Sequence, residues 1–549
     1  MNAQLRRTFY LFVAGFVSLV GVMAYWQVYA KESLATDPAN SLQSQRVQGV
    51  PRGLILANDG ETVLARSEEQ DNGTYGRVYP EGSVYSNVIG YWSPRYGASG
   101  VEIGQNNNLS GGGEPETLDG LINQITGGPQ AGNDVTLTLD PELQRLAYDQ
   151  LAQSSTGRGS VVALNPKNGE ILAMVSYPSY DPNNIDENFP ELVQDSEAPL
   201  LNRAMQGLYP PGSVFKVITA SAALKAGVDP DDEFDDTGTY ETPGYDVYNY
   251  RAREYGEVTF TEALGKSINT IFARIAYEEV GAQLLAQTAL DFGFEDPYED
   301  FPLPVAPSSL GELPPEQWVQ GYIAQIAFGQ GPNVTNVFEM ANMTGAVAND
   351  GAMMEPRLVR EVRSPDGVIL DKPTPRVRRG VLDAETAQTL NDMMQKSITD
   401  EETGAQIPGI KVAGKTGTAE APGGELHSWF ASFAPADDPE IAVAVLVENG
   451  QEGFKSALPI ARRLMEAYIG PTETQQNTQP TAPETTQPTA PETTQPTQPI
   501  QPKTKAPPAQ PKNGFPFQNP DQNQKAVPGQ QKAPPGQGPS QSSGQRQSG

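Results

Sequence analysis

Tyr209 Pro210 Pro211 Gly212 Ser213 Val214 Phe215 Lys216 is the stretch around which the rest of the chain is read. Two prolines cannot continue a helix and a glycine frees the backbone, after which Val214, Val217, Ile218 and Leu224 recur at helical spacing until Gly227 stops the run. Ser213 is therefore expected at a helix start, with Lys216, three residues on, returning its side chain over the same face. A serine there has a plain use as an N-cap. An amine beside the hydroxyl is also the minimal activated serine, since the amine takes the proton and the helix N-terminus favours negative charge on the oxygen. A chain of this length holds roughly one or two Ser-x-x-Lys patterns by chance, so support has to come from elsewhere.

Composition narrows the chemistry. The 549 residues suffice for two or more domains, and 37 basic against 67 acidic side chains leave a net charge of −30. A phosphate-binding surface needs a basic field, so nucleic acid is not an expected partner. Cysteine is absent, which excludes disulfides, thiol nucleophiles and Cys-ligated metal. His427 is the single histidine, so a Ser-His-Asp triad could use only that ring and a multi-histidine metal site is ruled out. A lone histidine is more often structural than catalytic. Nothing in the sequence calls for a cofactor or a metal.

Phe9 to Tyr29 is an uncharged, mainly apolar run of the length that spans a hydrocarbon core. Arg6 and Arg7 precede it, while Lys31, Glu32 and Asp37 follow. Residues 1–8 are accordingly expected in the cytoplasm, 9–29 as an uncleaved single-pass anchor, and the remainder outside the membrane. A cleaved signal peptide, with Val28-Tyr29-Ala30 as its site, is the competing reading, but its apolar region is usually about 7 to 15 residues.

Arg52 to Ala65 reads as two short strands joined at Asn58-Asp59-Gly60. Residues 31–132 are rich in Gly, Asn and Tyr and form a small module, with Gly111-Gly112-Gly113 and Gly127-Gly128-Pro129 as joints. Composition changes at Asn133, which opens a second domain, 133–470. Val135 to Leu139 alternates as a strand, and Asp140-Pro141 caps a helix bearing Leu143, Leu146, Ala147 and Leu151. Ser160–Leu164 and Ile171–Val175 form a hairpin, and the helix after Ser213 is expected to pack on it. Ile410–Thr418, Ser428–Phe433 and Ile441–Val447 add three strands before a closing helix from about Ser456 to Ile469. The pattern predicts an α+β domain: an antiparallel five-stranded sheet flanked by helices, plus a helical subdomain. Residues 471–549 are Pro, Gln, Thr and Ser, with Thr481 to Pro488 repeated at Thr489 to Pro496; so little apolar surface predicts a disordered tail.

Two further groups support Ser213. Ser267-Ile268-Asn269 offers a hydroxyl and an amide able to relay a proton and fix a peptide group, although alone it reads as a polar turn. Lys415-Thr416-Gly417-Thr418 lies on a predicted strand, where alternation points Lys415 and Gly417 to one face and the threonines to the other. Gly417 would let a substrate backbone come close, and a cation with hydroxyls suits a carboxylate; the plain alternative is an edge strand guarded by a lysine.

Ser-x-x-Lys, Ser-x-Asn and Lys-Thr-Gly in that order, spread over about two hundred residues, resemble the signature of penicillin-binding proteins and serine β-lactamases. Arg52-Gly53-Leu54-Ile55, Gly100-Val101-Glu102, Leu109-Ser110-Gly111, Thr138-Leu139-Asp140, Asn202-Arg203-Ala204 and Gly329-Gln330-Gly331 also look like recurring segments of the class B penicillin-binding proteins. The module at 31–132, of pedestal or dimerisation type, is too short for a glycosyltransferase domain. The resemblance implies a monofunctional peptidoglycan D,D-transpeptidase that β-lactams acylate. Ser213 would be the nucleophile, Lys216 its base, Ser267 the proton relay and Asn269 an orienting group. Lys415, Thr416, Gly417 and Thr418 would bind the substrate carboxylate, and the Ser213 and Thr418 backbone N–H groups would form the oxyanion hole. It further implies stem-peptide substrates and partners among the cell-wall synthesis proteins, a polytopic glycosyltransferase included. A β-lactamase or β-lactam sensor, and a non-catalytic scaffold, are the alternative readings.

Overall fold

The computed structural model describes residues 49–111, 131–421 and 423–470, together with Val13, Gly15, Phe16, Ser18, Leu19 and Val22. Apart from those six positions, the expected span 9–29 lies outside the described residues, as do the tail 471–549 and most of the glycine-rich joints. Among the described residues no helix is long and apolar enough to cross a membrane.

In chain order come β1 (Ile55–Leu56), β2 (Val63–Glu69) and β3 (Tyr75–Val78). The turn before β2 is closed by Asp59, whose Oδ1 accepts from the N–H groups of Glu61 and Thr62. Strand β4 (Asp134–Leu137) leads to helix α1 (Pro141–Ala152), where the Asp140 side chain accepts from the Glu142 and Leu143 N–H groups and Pro141 takes the first position. The hairpin β5 (Gly159–Leu164) and β6 (Ile171–Tyr177) follows. Helices α2 (Lys216–Ala226), α3 (Phe260–Gly265), α4 (Asn269–Ile275) and α5 (Val337–Ala348) occupy the middle of the chain. Strands β7 (Val359–Arg363) and β8 (Ile369–Asp371) and helix α6 (Ala384–Asp400) precede β9 (Ala413–Glu420), β10 (Leu426–Ala434), β11 (Ile441–Val447) and helix α7 (Gly453–Ile469).

Strands β9-β10-β11-β5-β6, in that order, make an antiparallel five-stranded sheet. Alternation along its strands divides the core in two. Val161, Ala163, Phe430, Val443 and Val445 pack with Leu143 and Leu151 of α1 and Leu464 and Met465 of α7. The intervening Val162, Ala431, Ala444 and Leu446 share a core with Met340, Met343 and Val347 of α5.

A second sheet runs β8-β7-β4-β1-β2-β3 and crosses the boundary that composition suggests at Asn133. Strand β4 pairs parallel with β1 at Ile55 and Val135, and β7 returns antiparallel to β4 at Val362 and Val135. The N-terminal module is thus completed by strands from beyond the helical segment, a pairing set by tertiary contact and invisible to local pattern.

Helix α2 does not rest on the sheet as its spacing suggests. It packs against α4, α6 and the helix Gly281–Asp291, and every residue from Lys216 to Ala223 is buried. A helix apolar on all sides is enclosed rather than laid on a surface. The 3-10 turn Gly212–Phe215 before it is what lies against β9 and β10. The closing helix begins at Gly453, earlier than expected, and carries Pro459 within it.

Candidate active site

The turn that carries Ser213 is held from several sides. Trp429 Nε1 donates to Pro210 O at 3.0 Å, and Tyr209 exchanges backbone bonds with Thr335 at 2.8 and 2.9 Å. Gly212 has φ +55, and a Cβ there would lie 2.5 Å from Thr418 O. Its N–H donates to Gly329 O at 2.8 Å, while a Cβ on Gly329 would fall 1.9 Å from Gly212 O. Only glycine allows these backbones to approach so closely.

Because the turn is 3-10, side chains three apart eclipse, and Lys216 Nζ comes 3.1 Å from Ser213 Oγ. Ser267 ends α3 in the left-handed region at φ +58, its N–H bonded to Leu264 O and that of Ile268 to Ala263 O. This is a Schellman termination with serine where glycine is usual. The conformation turns both the carbonyl and the hydroxyl of Ser267 onto Lys216 Nζ, at 2.7 and 3.2 Å. Asn269, at the first position of α4, places Oδ1 2.7 Å from the same nitrogen, and its Nδ2 donates to Tyr248 O at 3.1 Å, which fixes the amide's orientation.

Hydrogen-bond capacity then decides the chemistry. The Ser267 carbonyl and Asn269 Oδ1 only accept, so they take both N–H bonds of a neutral amine and leave its lone pair for a hydroxyl. Lys216 is fully buried among neutral oxygens and the Phe272 ring, 5.5 Å away. Burial, reinforced by the charge of Lys415, pushes its amine well below the usual lysine range. The arrangement can accept a proton from Ser213 and pass one on through Ser267.

Lys415 is buried on β9, while Thr416 and Thr418 are half-buried on the alternate face. Thr418 Oγ1 accepts from Gly453 N–H at 3.3 Å. Gly417, expected to let a substrate backbone come close, also leaves room for its neighbours within the fold. A Cβ on Gly417 would meet Trp429 Cβ at 3.0 Å, Val214 Cγ1 at 3.1 Å and Pro211 O at 3.2 Å, so the missing side chain lets the turn around Ser213 pack against β9. His427 lies apart from this group: its Nδ1 accepts from Asn449 N–H at 3.2 Å and its ring stands edge-on to Tyr209. Burial lowers its pKa and keeps the ring neutral.

The structure also brings in residues outside the three motifs. Glu402 contacts Lys415 and Thr416. Glu448 Oε1 accepts from Arg203 and Tyr209, and its Oε2 from Arg158, anchoring the segment that leads into the Ser213 turn. Asn202-Arg203-Ala204 stands out in the sequence, but its partner Glu448 does not.

Residues 159–466 match the family model of the penicillin binding protein transpeptidase domain, and residues 52–135 that of the penicillin binding protein A dimerisation domain. The peptidoglycan D,D-transpeptidase PbpA of Mycolicibacterium smegmatis is 35% identical over 496 residues, which is 85% of this chain and 99% of the relative. The peptidoglycan D,D-transpeptidase MrdA of Acinetobacter baumannii is 30% identical over 447 residues, 72% of this chain and 66% of the relative. Among solved structures, the penicillin G acyl-enzyme complex of penicillin-binding protein A from M. tuberculosis is similar at TM-score 0.71 and 34% identity, covering 77% of this chain and 100% of that one. The imipenem acyl-enzyme complex of the same protein gives 0.73 at 33% identity, over 77% and 99%.

Proposed function

Because the chain belongs to the penicillin-binding protein transpeptidase family, we propose that it is a class B peptidoglycan D,D-transpeptidase working through an acyl-enzyme on Ser213. The observation that carries this is the cradle of four neutral oxygens around Lys216 Nζ, one of them Ser213 Oγ.

Ser213 Oγ attacks the carbonyl carbon of the penultimate D-alanine in a stem peptide while Lys216 takes its proton. The backbone N–H groups of Ser213 and Thr418 receive the oxyanion, and Lys415 with the Thr418 hydroxyl of β9 holds the terminal carboxylate. The peptide C–N bond breaks as Ser267 gives a proton to the leaving D-alanine nitrogen and is reprotonated from Lys216. An amino group of a neighbouring stem then attacks the ester, forms the cross-link and returns the proton to Ser213. A β-lactam acylates the same oxygen, but its opened ring keeps the leaving nitrogen tethered and blocks the second attack.

The apolar run Phe9 to Tyr29 behind Arg6 and Arg7 supports a single-pass anchor with this site on the extracytoplasmic side. Such a monofunctional enzyme depends on a separate glycosyltransferase for the glycan strands, which makes cell-wall synthesis proteins its partners.

Intact-protein mass spectrometry after benzylpenicillin, followed over time, tests the assignment. A persistent adduct mapping to Ser213 and absent from Ser213→Ala is expected. An adduct on another residue, or none on the wild type, overturns it, and rapid release of the adduct would make the protein a hydrolase.

A further inference from the structure

Two buried amines, Lys216 and Lys415, share the site, each 0% exposed. The reaction needs them unequal: one must take a proton from Ser213, and the other must carry charge toward a substrate carboxylate. The difference is supplied from outside the three motifs. Glu402 sits between α6 and the 3-10 turn Thr403–Ala405, its N–H bonded to Ser397 O at 2.9 Å. Its Oε1 lies 3.5 Å from Lys415 Nζ and accepts from the Thr416 hydroxyl and, at 3.3 Å, from the Thr416 N–H. Its Oε2 has no hydrogen-bond partner among the described residues. One oxygen of a buried carboxylate thus bears three contacts while the other has none, an arrangement that hydrogen bonding alone does not reward.

We propose that Glu402 is a positioning residue of the acylation site: it anchors Lys415 and Thr416, gives the two buried amines unlike partners, and leaves Thr418 as the hydroxyl presented to the substrate carboxylate. Lys216 has only neutral oxygens within reach, whereas Lys415 has a carboxylate. The Thr416 proton is committed to Glu402. Thr418 accepts from Gly453 N–H, so its own O–H stays free to donate. The charged groups acting on the Lys415 amine are Glu402 and, beyond it, Glu401, and Lys415 acts in turn on Lys216. Burial lowers both amines, but only at Lys415 do carboxylates oppose it.

The proposal rests on the transpeptidase reading of this cleft, and the experiment separates the two. Benzylpenicillin acylation rates of the full-length chain are measured from about pH 5 to about pH 10 for wild type, Glu402→Gln and Glu402→Asp. The alkaline limb, where Lys415 loses its proton, is expected to move at least about one pH unit downward in Glu402→Gln and by less in Glu402→Asp. The acid limb, which belongs to Lys216, moves far less. The preference for benzylpenicillin over its methyl ester shrinks in the same pH range, as the clamp loses its charge. A uniform fall in rate with the alkaline limb in place is what a packing defect gives, and it overturns the proposal; so does an unchanged profile. Where Glu402→Gln does not fold, the smaller displacement in Glu402→Asp decides in the same way. A wild type that forms no adduct overturns the transpeptidase reading instead.

Discussion

The Tyr209 hydroxyl donates to Glu448 Oε1 at 2.8 Å, tying the residue that enters the nucleophile turn to the end of strand β11. The same oxygen receives Arg203 Nε, also at 2.8 Å, and the Arg203 side chain is 1% exposed. Tyr209→Phe deletes one bond to a charged acceptor that keeps its ion pairs, a loss of about 1.5–3 kcal/mol. Arg203→Met leaves a buried carboxylate short of its main counter-charge, for which about 3–5 kcal/mol is expected. Urea unfolding should rank Arg203→Met as the more damaging. Equal effects would show that Arg203 contributes no more than a hydroxyl does.

In the proposed mechanism Lys216 is neutral when it takes the Ser213 proton, so acylation is expected to rise with pH as its amine deprotonates. The midpoint of that limb should fall well below the ordinary lysine value, because burial and the Lys415 charge both disfavour the ammonium. Lys216→Ala should slow benzylpenicillin acylation about 10²–10⁴-fold. Lys216→Arg should do no better, since a guanidinium stays charged across the accessible range. Near-normal acylation in either variant would mean that another group is the base.

Ser267 separates stability from chemistry. At φ +58 an alanine is strained where glycine is not, by about 1–2 kcal/mol. Ser267→Gly should therefore unfold at a higher temperature than Ser267→Ala. Both lack the hydroxyl 3.2 Å from Lys216 Nζ, and both should turn over a stem-peptide substrate more slowly by about 10²-fold or more. Turnover that tracks thermal stability in the pair would remove Ser267 from proton transfer.

Much of this site was legible in the sequence, because its motifs are local. Ser213 and Lys216 are three apart on a turn opened by Pro210-Pro211-Gly212, and Ser267 and Asn269 flank the start of a helix. The hairpin Ser160–Val175 and the strand Ile441–Val447 stand out as apolar runs of strand length, and the fold buries them on both faces. What stayed hidden depends on contacts across long stretches of chain. Glu402 follows Asp400 and Glu401, and three acidic residues in a row read as a solvated helix end until the fold buries one against Lys415. The left-handed backbone of Ser267 cannot be read from its residue type, and the strands β7 and β8 that complete the N-terminal sheet have no local mark of their distant partners.

Gly329 offers a test of the nucleophile turn made from outside it. A methyl group there would sit 1.9 Å from Gly212 O, against backbone that cannot yield as a flexible side chain would, and φ +78 adds strain. Gly329→Ala should displace the Ser213 turn and cut the acylation rate at least about 10²-fold, as a shift of roughly 1 Å at a reacting atom can do. Unchanged acylation kinetics would show that the turn is held by its other contacts alone.

Glu339 on α5 is fully buried, accepts from the Tyr298 hydroxyl at 3.1 Å through Oε1, and has no partner at Oε2 among the described residues. Burial raises its carboxyl to about 8, so the folded protein holds this proton through neutral pH while the unfolded chain releases it near 4.5. Folding therefore takes up a proton between those two values, and stability falls as pH rises through that window, then levels off above about 8. Glu339→Gln keeps the size and an oxygen acceptor for Tyr298 while removing the titration. It should be more stable than wild type at neutral pH by an amount on the order of 3 kcal/mol, with the advantage vanishing toward pH 4.5. Urea unfolding at a series of pH values checks this. A stability difference that stays constant across the series would mean that Glu339 is ionised in the folded protein, and that Arg378 and Arg379, whose charges act on it, outweigh its burial.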